Sequence, residues 1–89
     1  MIEATFTVLH PGGLHARPSA RLYRSIARYR ATTSIQNLSR PDTPPLPLST
    51  INLLQLGLCE GDLLHVRVDG EDEGDVMRHI ATILLDADS

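Results

Sequence analysis

Gly13-Leu14-His15-Ala16-Arg17-Pro18-Ser19 is the stretch of this 89-residue chain whose residue types and spacing could do chemistry. Proline is disfavoured in helix interiors but suits a first turn, where its missing N–H has no intrahelical partner to lose, so Pro18 predicts a helix beginning near His15. A helix start presents unpaired backbone N–H groups and the positive end of the macrodipole, and both attract phosphate or carboxylate. His15 adds an imidazole nucleophile. Arg17 adds planar donors that match phosphate oxygens, and the backbone N–H groups of Ala16 and Arg17 complete an anion cradle. Together these residues point to phosphoryl transfer, which calls for a nucleophile, neutralisation of charge on the equatorial oxygens and in-line geometry. An imidazole changes charge near neutral pH and attacks without a strong base. The phosphoramidate it forms is reactive enough to pass its phosphoryl group to another protein.

The elements that must position these residues follow from the pattern. Ile2, Ala4, Phe6 and Val8 alternate with polar residues and predict a strand with one buried face. His10-Pro11-Gly12-Gly13 breaks it, and the glycine pair is expected to free the loop that carries His15 to the surface. From Ala16 to Arg30, Leu22, Ile26 and Tyr29 form the apolar stripe of an amphipathic helix. On its other side Arg17, Arg21, Arg24 and Arg28 form a ridge at helical spacing, with the small Ala20 beside it.

Ala31 to Leu38 reads as a second strand whose alternation Asn37 weakens. Ser39 to Pro47 holds four prolines and predicts a loop or a broken edge strand, because proline gives no ladder donor. Ser49 is placed to cap a short helix that runs to Gln55, and Gly57 stops it. Asp62 to Val68 alternates cleanly as a further strand. A last helix follows the acidic turn Glu71, Asp72, Glu73 and Asp75, with Val76, Ile80, Ile83 and Leu84 buried, and runs to about Asp86. This order predicts a single α+β domain over residues 1–89, in two layers, with the helices covering one face of a sheet.

Composition bounds the function. The net charge of −3 and pI near 5.7 argue against a general nucleic-acid binder. All eight basic residues are arginine, four of them between Arg21 and Arg30, while the acidic residues gather in the last third. A single cysteine, Cys59, and the lack of a signal-like start predict a cytoplasmic protein, and no apolar run approaches a membrane span. His10, His65 and His79 are dispersed, so no metal is expected, and Glu71 to Asp75 lacks the spacing of a calcium loop.

The heptapeptide around His15 resembles the active-site signature of the HPr family, the histidine-containing phosphocarriers of the phosphoenolpyruvate-dependent sugar phosphotransferase system. The likeness extends to Ser49-Thr50-Ile51 through Leu56-Gly57-Leu58 and to Val68-Asp69-Gly70-Glu71-Asp72-Glu73, nearly the whole chain. It implies an open-faced sandwich of four antiparallel strands and three helices. It further implies that His15 takes phosphate from phosphorylated enzyme I and passes it to an enzyme IIA domain, with Arg17 helping to bind and release it. Such a protein is a carrier with a transient phosphohistidine rather than a turnover enzyme, and needs no cofactor. Ala20, Arg21, Arg24, Arg28 and Ile51 are expected to dock acidic partner surfaces, and the protein to act as a monomer.

Ser49 matches a serine that HPr kinase/phosphorylase modifies in some members. The chain departs from the family at the proline-rich segment, which occupies the place of the third strand, and at Leu48, where lysine is common. Thr50 and Asn52 differ from the family's usual partner-facing residues. The alternative reading is a regulatory paralogue, nitrogen-type or linked to Ser49, that acts by binding a kinase or a transcription regulator.

Overall fold

The computed structural model describes residues 1–40 and 42–86; Pro41 of the proline-rich segment and residues 87–89 of the expected domain lie outside the described residues. Its elements run β1 (Ile2–Thr7), α1 (Ala16–Ile26), β2 (Thr32–Asn37), β3 (Leu46–Pro47), α2 (Thr50–Gln55), β4 (Leu63–Asp69) and α3 (Glu73–Leu84). The strands form one antiparallel sheet in the order β1-β4-β2-β3. This is the expected α+β open-faced sandwich, four strands with three helices on one face.

Period-two patterning explains which face is covered. In β4, Leu64, Val66 and Val68 are fully buried while their neighbours face outward, and Ile35 of β2 lies opposite Val66 in the same layer. The helices meet this face with Leu22 and Ile26 of α1, Leu53 of α2, and Val76, Ile80, Ile83 and Leu84 of α3. Each such side chain contributes about 1.5–3 kcal/mol relative to leaving it exposed. Phe6 is only partly buried and packs at the edge of this cluster. No helix among the described residues is long and apolar enough to cross a membrane.

Two features differ from, or sharpen, the sequence expectation. The first helix ends at Ile26 with Ala27 as its C-cap, not at Arg30. Tertiary contacts take the chain off the helix axis there: the Arg30 N–H donates to Asp72 Oδ2 at 2.7 Å, and the Asp72 N–H donates back to the Arg30 carbonyl at 3.0 Å. Tyr29, half-buried, bonds through its hydroxyl to His79 Nε2 of α3 at 2.8 Å. Among its described residues the proline-rich segment keeps only a two-residue edge strand, with Ser34 opposite Pro47 and Ile35 opposite Leu46. Proline blunts a sheet edge without disturbing inner ladders.

The uncovered face carries a polar row. Thr5 and His65 are cross-strand partners whose Oγ1 and Nδ1 lie 3.0 Å apart, and His65 Nε2 donates to Glu3 Oε1 at 2.8 Å. Arg67 Nε stands 3.5 Å from the same carboxylate oxygen. The His65 hydrogen bond, then the Arg67 charge, hold the Glu3 carboxyl below its ordinary pKa. A carboxyl depressed in the folded state adds stability above its unfolded pKa, and that stability is lost as pH falls through the folded value. Glu3→Gln should therefore melt lower than the unaltered chain at about pH 7, and the gap should close as the pH falls through the lowered titration of Glu3. Paired thermal melts check this, and a gap that stays constant contradicts it.

Candidate phosphoryl-acceptor site

The loop before His15 is held rather than loose. The Gly13 N–H donates to the His10 carbonyl at 2.9 Å, and the Leu14 N–H donates to the Leu58 carbonyl at 3.1 Å. Gly12 and Gly13 have φ of 78° and 88°, the left-handed region that glycine enters without penalty. A Cβ on Gly13 would stand 2.1 Å from the Leu58 carbonyl oxygen. The expectation that the glycine pair frees the loop is thus corrected for Gly13. It lets two backbones touch, which fixes the loop against the 57–62 segment. His10 and Leu14 are buried beneath it.

His15 follows as the N-cap of α1, with φ −89° and ψ −168°. Its side chain makes no capping hydrogen bond, and among the described residues the exposed imidazole has no hydrogen-bond partner. The first intrahelical bond is donated by the Ser19 N–H to the His15 carbonyl at 3.2 Å. Pro18 has no N–H to offer, which leaves the N–H groups of Ala16 and Arg17 as the free donors of the first turn. The first turn of α1 holds no acidic residue, in contrast to α3, where Glu73 and Asp75 occupy it. The positive end of α1 therefore lacks a carboxylate of its own and is available to an external anion. Arg17 is exposed, and no ion pair or side-chain hydrogen bond engages it among the described residues. Pro18 and Ser19 face the core and anchor the turn.

Arg17, Ala20, Arg21 and Arg24 fall at helical spacings of three and four, and all three arginines are exposed. Arg21 also stands 3.8 Å from Asp86, just past α3. Arg28 does not continue the ridge. It lies beyond the C-cap, its guanidinium 5.3 Å from the centroid of the Tyr29 ring and donating to the Tyr29 hydroxyl at 3.4 Å. Ile51 is 67% exposed on α2, which packs against α1. The structure thus places an exposed apolar side chain on the helix next to the arginine stripe.

Ser49 caps α2: its Oγ accepts from the Asn52 N–H at 3.0 Å. Replacing such a cap by alanine costs about 1 kcal/mol. Ser49→Ala should lower the unfolding free energy by that amount. Denaturant titration measures this, and an unshifted midpoint would contradict the capping role.

Sequence reading missed Asn37. Its polar side chain weakens the alternation of the strand, yet it is fully buried at the end of β2 and bonds to Leu56, Ser39 and Asp62. Its place in the register of Thr33 and Ile35, both facing the core, was the available signal. Among the described residues no group of three or more His, Cys, Asp and Glu gathers in a way that could hold a metal ion.

Comparison with known proteins agrees with this geometry. The family model described as "PTS HPr component phosphorylation site" matches residues 2–86. The chain is 29% identical over 83 residues to the phosphocarrier protein HPr of Xylella fastidiosa, covering 93% of this chain and 90% of that one. It is 32% identical over 83 residues to a multiphosphoryl transfer protein of Haemophilus influenzae, again over 93% of this chain but spanning only 17% of that relative. HPr-C-His from Thermoanaerobacter tengcongensis superposes with a TM-score of 0.86 at 20% identity, over 98% of this chain and 94% of that one. HPr from Bacillus anthracis gives 0.81 at 20% identity, over 93% and 95%. Fold, helix start and family match converge: the chain belongs to the HPr family of phosphocarriers of the phosphotransferase system.

Proposed function

We propose that His15 accepts a phosphoryl group from phosphorylated enzyme I, charged in turn by phosphoenolpyruvate, and passes it to an enzyme IIA domain, in the cytoplasm. The observation that carries this reading is the imidazole at the N-cap, beside two backbone N–H groups and Arg17, none of which has a hydrogen-bond or ion-pair partner among the described residues. A ring nitrogen of His15 attacks phosphorus in line. The new P–N bond forms as the donor's P–N bond breaks, and the electron pair of that bond stays with the donor imidazole. The Ala16 and Arg17 N–H groups, with the Arg17 guanidinium, meet the charge on the equatorial oxygens. Onward transfer is the same exchange in reverse order, and exposure of the site lets donor and acceptor approach in turn.

Arg17, Arg21 and Arg24, with Ala20 and Ile51, form the surface that meets those partners. Arginines in one stripe steer an acidic partner and make docking salt-sensitive, while Ile51, exposed on the neighbouring helix α2, supplies an apolar contact. Arg28 lies past the end of α1, where its guanidinium packs against Tyr29. Incubation with phosphoenolpyruvate and a cognate enzyme I tests the reading. One acid-labile phosphate per chain is expected, and the absence of any label contradicts it.

A further inference from the structure

Beneath the loop that carries His15 lies a hydrogen-bond network centred on Asn37 and Asp62. Asn37 Nδ2 bonds to the Leu56 carbonyl at 3.1 Å and to Asp62 Oδ2 at 3.3 Å, so one fully buried amide joins both ends of the 57–62 segment. Asp62 Oδ2 also accepts from the Cys59 N–H at 3.0 Å, and the Asp62 N–H donates to the Cys59 carbonyl at 2.9 Å. The segment is thereby closed into a tight turn. Outward from it, the Leu58 carbonyl holds the Leu14 N–H, and the Gly61 N–H and Asp62 carbonyl bond to Val8 at 2.8 and 2.9 Å. The loop that ends in His15 thus rests on this turn at both its start and its finish.

We propose that Asp62 and Asn37 are positioning residues for phosphoryl transfer: by shaping the 57–62 turn they set the Leu58 carbonyl, through it Leu14, and so the place of His15. The inference rests on the reading of His15 as the phosphoryl acceptor. Its physical basis is that in-line transfer demands near-attack geometry, where a displacement of about 1 Å can cost on the order of 10²-fold in rate. A nucleophile on a loop keeps that geometry only if supporting hydrogen bonds hold the loop. The acidity of Asp62 fits: the Cys59 N–H, then the Asn37 amide, hold its carboxyl below the ordinary value, with the Arg40 charge helping. Both bonds from Cys59 and Asn37 converge on the single oxygen Oδ2, so one acceptor atom does the joining.

The test compares Asp62→Ala with Asp62→Asn, which removes the charge and keeps an oxygen acceptor. Phosphorylation by phosphorylated enzyme I is followed over a range of donor concentrations, well below each variant's melting temperature, with amide exchange at Leu14 in parallel. Asp62→Ala is expected to lose about tenfold in maximal rate at an unchanged half-saturating donor concentration, with faster Leu14 exchange. Asp62→Asn is expected to restore most of both. Should the alanine variant not fold, Asp62→Gln, whose acceptor is displaced by one methylene, carries the same expectation. Folded Asp62→Ala or Asp62→Gln at the unaltered rate overturns the inference, and so does an asparagine variant as slow as alanine. If the unaltered protein takes no phosphate on His15, the phosphocarrier reading fails instead.

Discussion

His15→Ala leaves a folded protein that takes up no phosphoryl group. The stability half of this expectation comes from exposure: His15 makes no side-chain capping bond, so its removal should shift unfolding by no more than about 0.5 kcal/mol. The activity half comes from chemistry. Without a ring nitrogen there is no atom at the N-cap to form the P–N bond, and removal of a nucleophile lowers rates by at least about 10³-fold. Radiolabel transfer from phosphoenolpyruvate through enzyme I, with circular dichroism on the same sample, reads both halves. A variant that is still labelled would place the acceptor elsewhere in the chain.

The second large effect is on stability. Gly13→Ala forces an L-residue into a left-handed conformation, at a cost of about 1–2 kcal/mol. It also drives a Cβ into the Leu58 carbonyl oxygen, where 2.1 Å separates them before any relaxation. Relief requires breaking the Leu14 to Leu58 hydrogen bond, worth about 1 kcal/mol. A total of about 2–3 kcal/mol follows, which for a chain of this size lowers the melting temperature by roughly 10–20 °C. Gly12→Ala is the internal comparison, because φ there is also positive at 78° but no atom beyond its chain neighbours lies within 4 Å of the added Cβ. It should cost about 1 kcal/mol, the conformational part alone. Equal melting temperatures for the two variants would show that the backbone contact at Gly13 does not matter.

Much of this molecule is written in local pattern. Leu64, Val66 and Val68 alternate against polar neighbours, so β4 and its buried face are readable without a structure. Ser49 and Gly57 bracket α2 because a cap and a left-handed stop are local demands of the backbone. The candidate site is legible for the same reason: Pro18 marks the first turn of α1, and His15 stands at the N-cap just before that turn. What escapes local pattern is decided by distant residues. No glycine or proline announces the end of α1 at Ile26, since the pull of Asp72 on Arg30 comes from 42 positions away. Arg28 leaves the arginine ridge as a consequence. Asn37 looks wrong in a strand until Leu56 and Asp62 are brought to its amide by the fold.

The central claim is that the imidazole of His15, not the hydroxyl of Ser49, is where phosphate rests in transit. Phosphorus NMR of the protein after incubation with phosphoenolpyruvate and enzyme I tests it most directly. The account predicts one phosphoramidate resonance, lost in mild acid, absent in His15→Ala and retained in Ser49→Ala. An acid-stable phosphate ester, or a signal that survives His15→Ala, would contradict it.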